Sequence, residues 1–507
     1  MSSSGLLSTA VYHSKASGWS TLRSLTSLFA ARRRHEQPRT VVAVVSNAAT
    51  PAETRPDMQL PKKGSLVICI LENVLGQTSF FIIVSSGSEY ARFLGGTDAF
   101  SGLVLGIPTI CSALMLLPLM RYDRGQYRFT LLFACAAGSL GSMLYGLAYR
   151  AQFLYLILIS RLVLGLAFVC FLYIKRYLSD ARIVGTRRRT TLAGWFVAGQ
   201  NAGFVIGPFL GGLLYKIGFN NEIFNGYTSP GWIMAALWAT FGIASAIWFE
   251  DVPPIAPAVH SGSESDLAIP VEPMSASTSD QDVVVTRCSI EEGRDLPELD
   301  SSAANPPNVA YRPCASQWGV VATMCWFSMT CFFVLGGWEA NIPVYTASAF
   351  GSSPFAAGNL IALGGLCTFP FIFLNVIFAR KFQDRHILAA GAGIGLIGLV
   401  VSITVLATGS MTYWALLACW ILVALGFNIA STVTVSLLSK QMPHRWVGHL
   451  NLAVEYSSVV GRVTGAVWGG AGPGIGMSAY VGLQIALLGI GSVMFMTLWH
   501  QLKTKAG

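Results

Sequence analysis

Apolar residues gather along this chain in twelve runs of about 20, the length a helix needs to cross a bilayer. The runs lie at 65–85, 99–120, 129–149, 153–174, 190–214, 231–249, 317–340, 355–379, 387–407, 412–438, 450–470 and 478–500. Polar stretches occupy 1–64 and 251–316. The pattern predicts an all-α membrane protein. One six-helix bundle is expected over 65–250, a second over 317–501, and a short tail over 502–507.

Two of the runs carry the same motif. Gly203 to Gly212 reads GFVIGPFLGG and Gly461 to Gly470 reads GRVTGAVWGG, both G-x-x-x-G-[PA]-x-x-G-G and 258 residues apart. Small residues four apart bare one face of a helix, so another backbone can approach closely within lipid. Asp123-Arg124 before run 3 and Asp384-Arg385 before run 9 repeat at a similar offset, 261 residues. Agreement at two places predicts two pseudo-symmetric halves built by duplication, the organisation of secondary transporters.

Only 11% of the residues are charged and 53% are apolar, against about 25% charged in an ordinary soluble protein. Lipid must therefore be the solvent. The net charge of +9 suggests nucleic acid until its distribution is considered. With the N-terminus in the cytoplasm, 28 of the 33 Lys and Arg residues fall on the cytoplasmic side. That bias sets the orientation, with both termini cytoplasmic, and nucleic acid is not an expected partner. The ten cysteines are scattered without a C-x-x-C pair, and the seven histidines have no ligand spacing. No metal or cofactor is expected.

The segment 1–64 is basic, with Arg32, Arg33 and Arg34 in sequence. It reads as a disordered cytoplasmic tail resting near anionic lipid or as an imitation of an organelle transit peptide. Residues 251–316 hold eleven acids among many Pro and Ser. They read as a disordered cytoplasmic linker.

These features resemble the major facilitator superfamily. The resemblance covers about 64–501. Asp123, Arg124 and Arg128 look like an eroded form of that family's loop 2–3 signature, and Arg161-x-x-x-Gly165 looks like its helix 4 arginine motif. Gly203, Gly207, Pro208, Gly211 and Gly212 match its helix 5 motif. WEANIP at Trp338 to Pro343, with SLLSK and GRVTGA near helix 11, is similar to a branch containing vacuolar SPX-domain transporters and a lysosomal ceroid-lipofuscinosis protein. The resemblance implies two six-helix bundles that rock about a central cavity lined by helices 1, 4, 7 and 10.

Ionisable groups inside a bilayer are costly and mark function by default. Five stand out: Glu72, Arg161, Glu339, Glu455 and Arg462. Glu72 and Arg161 both fall roughly 12 Å from their helix starts. They are expected to pair near the midplane, either as a proton or substrate relay or as a static ion pair. Asn73 and Gln77 share a face of helix 1 and point either to substrate or to helix 5. Glu339 and Asn341 precede Pro343, which is expected to loosen helix 7. The site there is an outer gate or an ion site, or else a helix end dipping into water. Glu455 and Arg462, seven apart, share a face of helix 11. Arg462 replaces Phe204 of the first half and either meets an anionic group or locks the closed state. Gly165, the helix 5 motif, and Gly461 with Gly465 read as packing that serves gating. Asp123 and Arg124 either bond a neighbouring helix end or form a plain turn. Trp195, Phe196, Trp414 and Trp420 are candidates to line a cavity for an aromatic substrate.

The expected function is secondary active transport of a small organic solute by alternating access, through proton-coupled efflux. The alternatives are an organellar anion or metabolite transporter of a vacuolar or lysosomal membrane, and a transport-dead receptor or scaffold. The expected partners are a small molecule, protons and lipid, and the protein is expected to be a monomer. No nucleotide loop, nucleophile elbow or metal cluster indicates an enzyme.

Overall fold

The computed structural model describes residues 60–121, 125–180, 182–219, 221–252, 315–378, 382–441 and 444–502. The segments 1–59 and 253–314 lie outside the described residues, and with them nearly all of the expected tail and linker. The same holds for Asp123 and Arg124. Every regular element among the described residues is α-helical.

Twelve long helices follow the twelve apolar runs. The first six are α1 (Lys63–Phe81), α2 (Asp98–Arg121), α3 (Arg128–Ala151), α4 (Leu154–Tyr177), α5 (Thr186–Ile217) and α6 (Ser229–Trp248). The second six are α7 (Ala315–Phe350), α8 (Pro354–Phe378), α9 (Asp384–Ala407), α10 (Tyr413–Gln441), α11 (His444–Ile475) and α12 (Met477–Thr497). A short helix, Gly87–Phe93, lies between α1 and α2. α4 is interrupted at Phe168 and Val169, where the backbone bonds shorten to three-residue steps such as Phe171 N–H to the Phe168 carbonyl.

Eleven of these helices are long and apolar enough to cross a membrane. The other, α11, has ample length at 32 residues. Its polar face, with Glu455, Ser458 and Arg462, turns to an internal cavity. Below, "inner" denotes the membrane face that carries the basic loops.

The duplicated motif explains the packing. A methyl group built on Gly211 of α5 would lie 1.8 Å from the Ile82 carbonyl oxygen at the end of α1, and one on Gly203 would lie 2.6 Å from that of Val74. The second copy does the same against α7: methyls on Gly461, Gly465 and Gly469 would lie 2.0, 2.0 and 2.1 Å from the carbonyl oxygens of Met329, Phe333 and Gly337. Such approaches leave room for hydrogen alone, and in lipid close backbone contact supplies the attraction between helices. Gly165 of α4 is equally tight against Pro108 and Cys111 of α2.

The last glycine of each motif turns instead to the other half. Gly212 faces Phe355 of α8, and Gly470 faces Asp98 of α2. Gly358 of α8 approaches the Pro208 carbonyl, and Gly102 of α2 approaches that of Ala466. The halves therefore meet through α5 with α8 and α11 with α2, a pseudo-symmetric pair of contacts toward the outer face. Nearer the inner face, Tyr456 Oη of α11 donates to the Ala113 carbonyl of α2 at 3.0 Å.

Candidate functional site

A cavity of about 430 Å³ lies between the two halves. Helices α1, α2, α4, α5, α7, α8, α10 and α11 all contribute to its wall. Most lining residues come from the middle or inner half of their helices, such as Ser112, Leu172, Asn201, Ile372, Thr432 and Glu455. With the outer ends held together by the glycine contacts, the structure is closed outside and hollow inside.

At the deep end stands an ion pair. Arg462 of α11 donates through Nη2 to Glu339 Oε2 of α7 at 2.6 Å, and the two side chains are 17% and 4% exposed. The Arg462 guanidinium also lies over Phe80 and Phe81 of α1, at 4.9 and 5.5 Å from the ring centres. A single cation thus joins two helices of the second half to the first half. Phe204, its counterpart in the first motif, packs edge-on against the same Phe81 at 4.6 Å.

The chain matches the family model of the Major Facilitator Superfamily over residues 67–473. The chain belongs to the Major Facilitator Superfamily. Among relatives in the superfamily, an uncharacterized MFS-type transporter of Schizosaccharomyces pombe is 30% identical over 473 residues, spanning 91% of this chain and 86% of that protein. An SPX domain-containing membrane protein of Arabidopsis thaliana is 25% identical over 418 residues, spanning 78% of this chain and 57% of that protein. Among solved structures, a bacterial homologue of the human lysosomal transporter Spinster, inward-facing and unoccupied, superposes with a TM-score of 0.58 at 15% identity. That match covers 86% of this chain and 96% of the homologue. A POT family transporter in complex with a thioalcohol-conjugated peptide gives 0.63 at 9% identity, covering 89% and 100%. At those identities the likeness is one of fold. The protein is a multi-pass membrane transporter of this superfamily.

The superfamily fold brings Glu339, Glu455, Arg462 and Gln77 to one cavity. It does not join Glu72 to Arg161. Arg161 is 2% exposed and points to the carbonyl oxygens of Ser79 (3.3 Å), Phe80 (3.1 Å) and Val104 (3.4 Å). It has no carboxylate partner among the described residues. Glu72 is 1% exposed and lies beside the Cys170 thiol, with Oε2 unpartnered. The expected pairing fails because α1 and α4 are antiparallel, so their starts lie at opposite membrane faces. Ser79, level with Arg161, lies seven residues beyond Glu72, about 10 Å along α1.

Asn73 is fully buried and donates to the Phe196 carbonyl of α5 at 2.6 Å, so it ties helices together and does not face the cavity. Asn341 likewise donates to the Gly469 carbonyl of α11 at 3.0 Å, away from the cavity lining. Pro343 does not end α7, which continues to Phe350, and Glu339 sits buried within the helix. The expected helix end dipping into water is therefore absent. Proline is tolerated there because neighbouring helices meet the freed polar groups. The four aromatic candidates do not line the cavity: Trp195 and Trp414 are exposed, Trp420 stacks on Trp338, and Phe196 is buried beside Lys175. Helices α2, α5, α8 and α11 join the expected α1, α4, α7 and α10 in the wall.

Two further groups emerge only from the structure. Lys175, one residue beyond the apolar run 153–174, lines the cavity. On the inner face Tyr127 donates to Asp180 (2.9 Å), which Arg182 also holds (2.6 Å), and Arg182 reaches back to the Gly125 carbonyl (3.1 Å). This knot ties loop 4–5 to the end of loop 2–3. The Arg182 guanidinium, then the Tyr127 hydroxyl, hold the Asp180 carboxyl down to about 2. Asp251 accepts the backbone N–H groups of Tyr127 and Arg128, capping α3, where a carboxylate also suits the helix dipole.

Proposed function

We propose that this transporter moves a small organic solute by alternating access, driven by protons, with the Glu339–Arg462 pair as the coupling element. The observation that carries the reading is the position of Arg462. It bonds Glu339 across α7 and α11 and rests on Phe80 and Phe81 of the opposite half, in the wall of the cavity. A charged Glu339 holds Arg462 in place. A protonated Glu339 loses the charge-assisted bond and frees the guanidinium, either to meet an anionic part of the solute or to leave the first half as the lobes separate. The Glu339 carboxylate and an anionic part of the solute thereby compete for one cation, and protonation of Glu339 decides which of them holds it.

The bias of Lys and Arg toward the inner loops supports a cytoplasmic inner face. In that orientation the cavity of this structure loads from the cytoplasm, and the cycle exports solute from the cell or into an organelle. The protein works as a monomer in this scheme, since the cavity is complete within one chain. The test is solute-evoked pH change in proteoliposomes with a trapped dye. Wild type is expected to couple proton movement to solute movement, and Glu339→Gln to keep solute exchange without moving protons. Unchanged coupling in Glu339→Gln rules the reading out.

A further inference from the structure

Among the described residues four ionisable side chains line the cavity: Arg462 and Lys175, Glu339 and Glu455. Two cations face two anions, so these four carry no net charge when all are ionised. Arg462 and Glu339 satisfy each other. Lys175 of α4 and Glu455 of α11 have no ion-pair partner among the described residues; they lie in opposite halves, both exposed to the cavity. Lys175 is held over the Phe196 ring at 5.5 Å. Between these charges the wall is aromatic, with Phe80, Phe81, Phe168, Phe171, Phe204 and Phe332, and is relieved by the amides of Gln77, Gln200, Asn201 and Asn428.

We propose that the solute is a zwitterion: one ammonium group and one carboxylate carried on an apolar or aromatic body. The inference rests on the transporter reading above and narrows its substrate. When the cavity closes around a solute its charges lose water and need compensation. A solute with net charge then leaves Lys175 or Glu455 unmatched. A zwitterion leaves none, because its ammonium meets Glu455 while its carboxylate meets Lys175. Its body then covers the phenylalanine rings, where ammonium groups also gain from the ring faces. Because its two charged contacts lie on opposite halves, such a solute also bridges them, which favours closing around it.

The experiment uses the full-length protein in detergent or nanodiscs and a matched set of probes at pH 6, where the amine of the amide is protonated: phenylalanine, phenylalaninamide, N-acetylphenylalanine and N-acetylphenylalaninamide. These are zwitterion, cation, anion and neutral molecule on one body. Binding is read from ligand-dependent thermal stabilisation, and transport from probe-driven counterflow. Phenylalanine is expected to bind at least tenfold more tightly than the other three. Glu455→Gln should weaken phenylalanine about tenfold and raise the rank of N-acetylphenylalanine, and Lys175→Gln should do the converse with phenylalaninamide. If a singly charged or neutral probe binds as well as the zwitterion, or if none of the four binds, the zwitterion assignment is wrong. Counterflow of a singly charged probe overturns the assignment while leaving the transporter reading intact. Lysophosphocholine, added as a fifth probe, separates a carboxylate zwitterion from a phosphate one: its preference over phenylalanine also overturns the assignment.

Discussion

The guanidinium of Arg462 lies 4.9 Å from the centre of the Phe80 ring, so the cation that binds Glu339 in the second half also rests on the first. Phe80 receives a second cation as well, since Arg161 lies 5.5 Å from the same ring. The contact between the halves at the floor of the cavity is thus electrostatic and aromatic, and its strength depends on how Glu339 is charged.

Removing one member of that pair should cost more than removing both. Arg462→Ala leaves a carboxylate buried at 4% exposure without its partner, a loss on the order of 3–5 kcal/mol. The double variant with Glu339→Gln should recover most of it. Denaturant or thermal unfolding of the four proteins measures the cycle, and additive losses would contradict the pairing.

Asn73 and Gln77, four residues apart on α1, are predicted to behave differently. Asn73→Ala deletes a buried bond to the Phe196 carbonyl and should lower stability by about 1–3 kcal/mol with KM unchanged. Gln77→Ala touches the cavity wall and should raise KM with little change in thermal midpoint. Parallel unfolding and uptake assays decide the matter.

The sequence carried the helix count, the duplication and the closely packed faces, because glycine spacing and apolar run length depend on local chemistry alone. It also marked Glu339, Glu455 and Arg462, since charge in lipid is conspicuous whatever its neighbours. It did not reveal which side chains meet. Glu72 and Arg161 stand at similar distances from their helix starts, but α1 and α4 are antiparallel, so those starts lie at opposite membrane faces. Asn341 looked available to solute, although Gly469 lets its helix come close enough to take the amide. Lys175 was hidden by its place at a helix end, and no one-dimensional pattern reports that α4 turns that residue inward.

Glycines at the outer seam should control conformation, whereas those within a half control folding. Gly469→Val drives a side chain into the Gly337 backbone of the same half and should cost about 1–3 kcal/mol or more of stability. Gly470→Val meets Asp98 of the opposite half. It should leave each half folded but keep the outer side from closing. Labelling of an introduced cysteine lining the outer cleft should then rise several-fold, and unchanged labelling would count against the seam.

Asp180 supplies a pH test outside the membrane. Its carboxyl titrates near 2 in the folded protein, below the usual value of about 3.9. A depressed folded pKa means the stabilisation is fully present above the unfolded value and is lost as pH falls through the folded one. Wild type should therefore lose stability between about pH 4 and pH 2 from this group, and Asp180→Asn should lack that part of the slope. Solvent near the pair limits the effect to about 1 kcal/mol. Unfolding midpoints across this range measure it, and identical slopes would contradict the assignment.

The most direct test of alternating access is a pair of distances between spin labels, measured with and without a bound solute at pH 5 and pH 8. One pair joins the outer ends of α5 and α8, and the other joins the inner ends of α4 and α10. Alternating access governed by Glu339 predicts a short outer and long inner distance at pH 8. Acid should shift the population toward the reverse, and Glu339→Gln should show that reverse at both pH values. Two distances that stay constant under all these conditions, or that lengthen together, would contradict it.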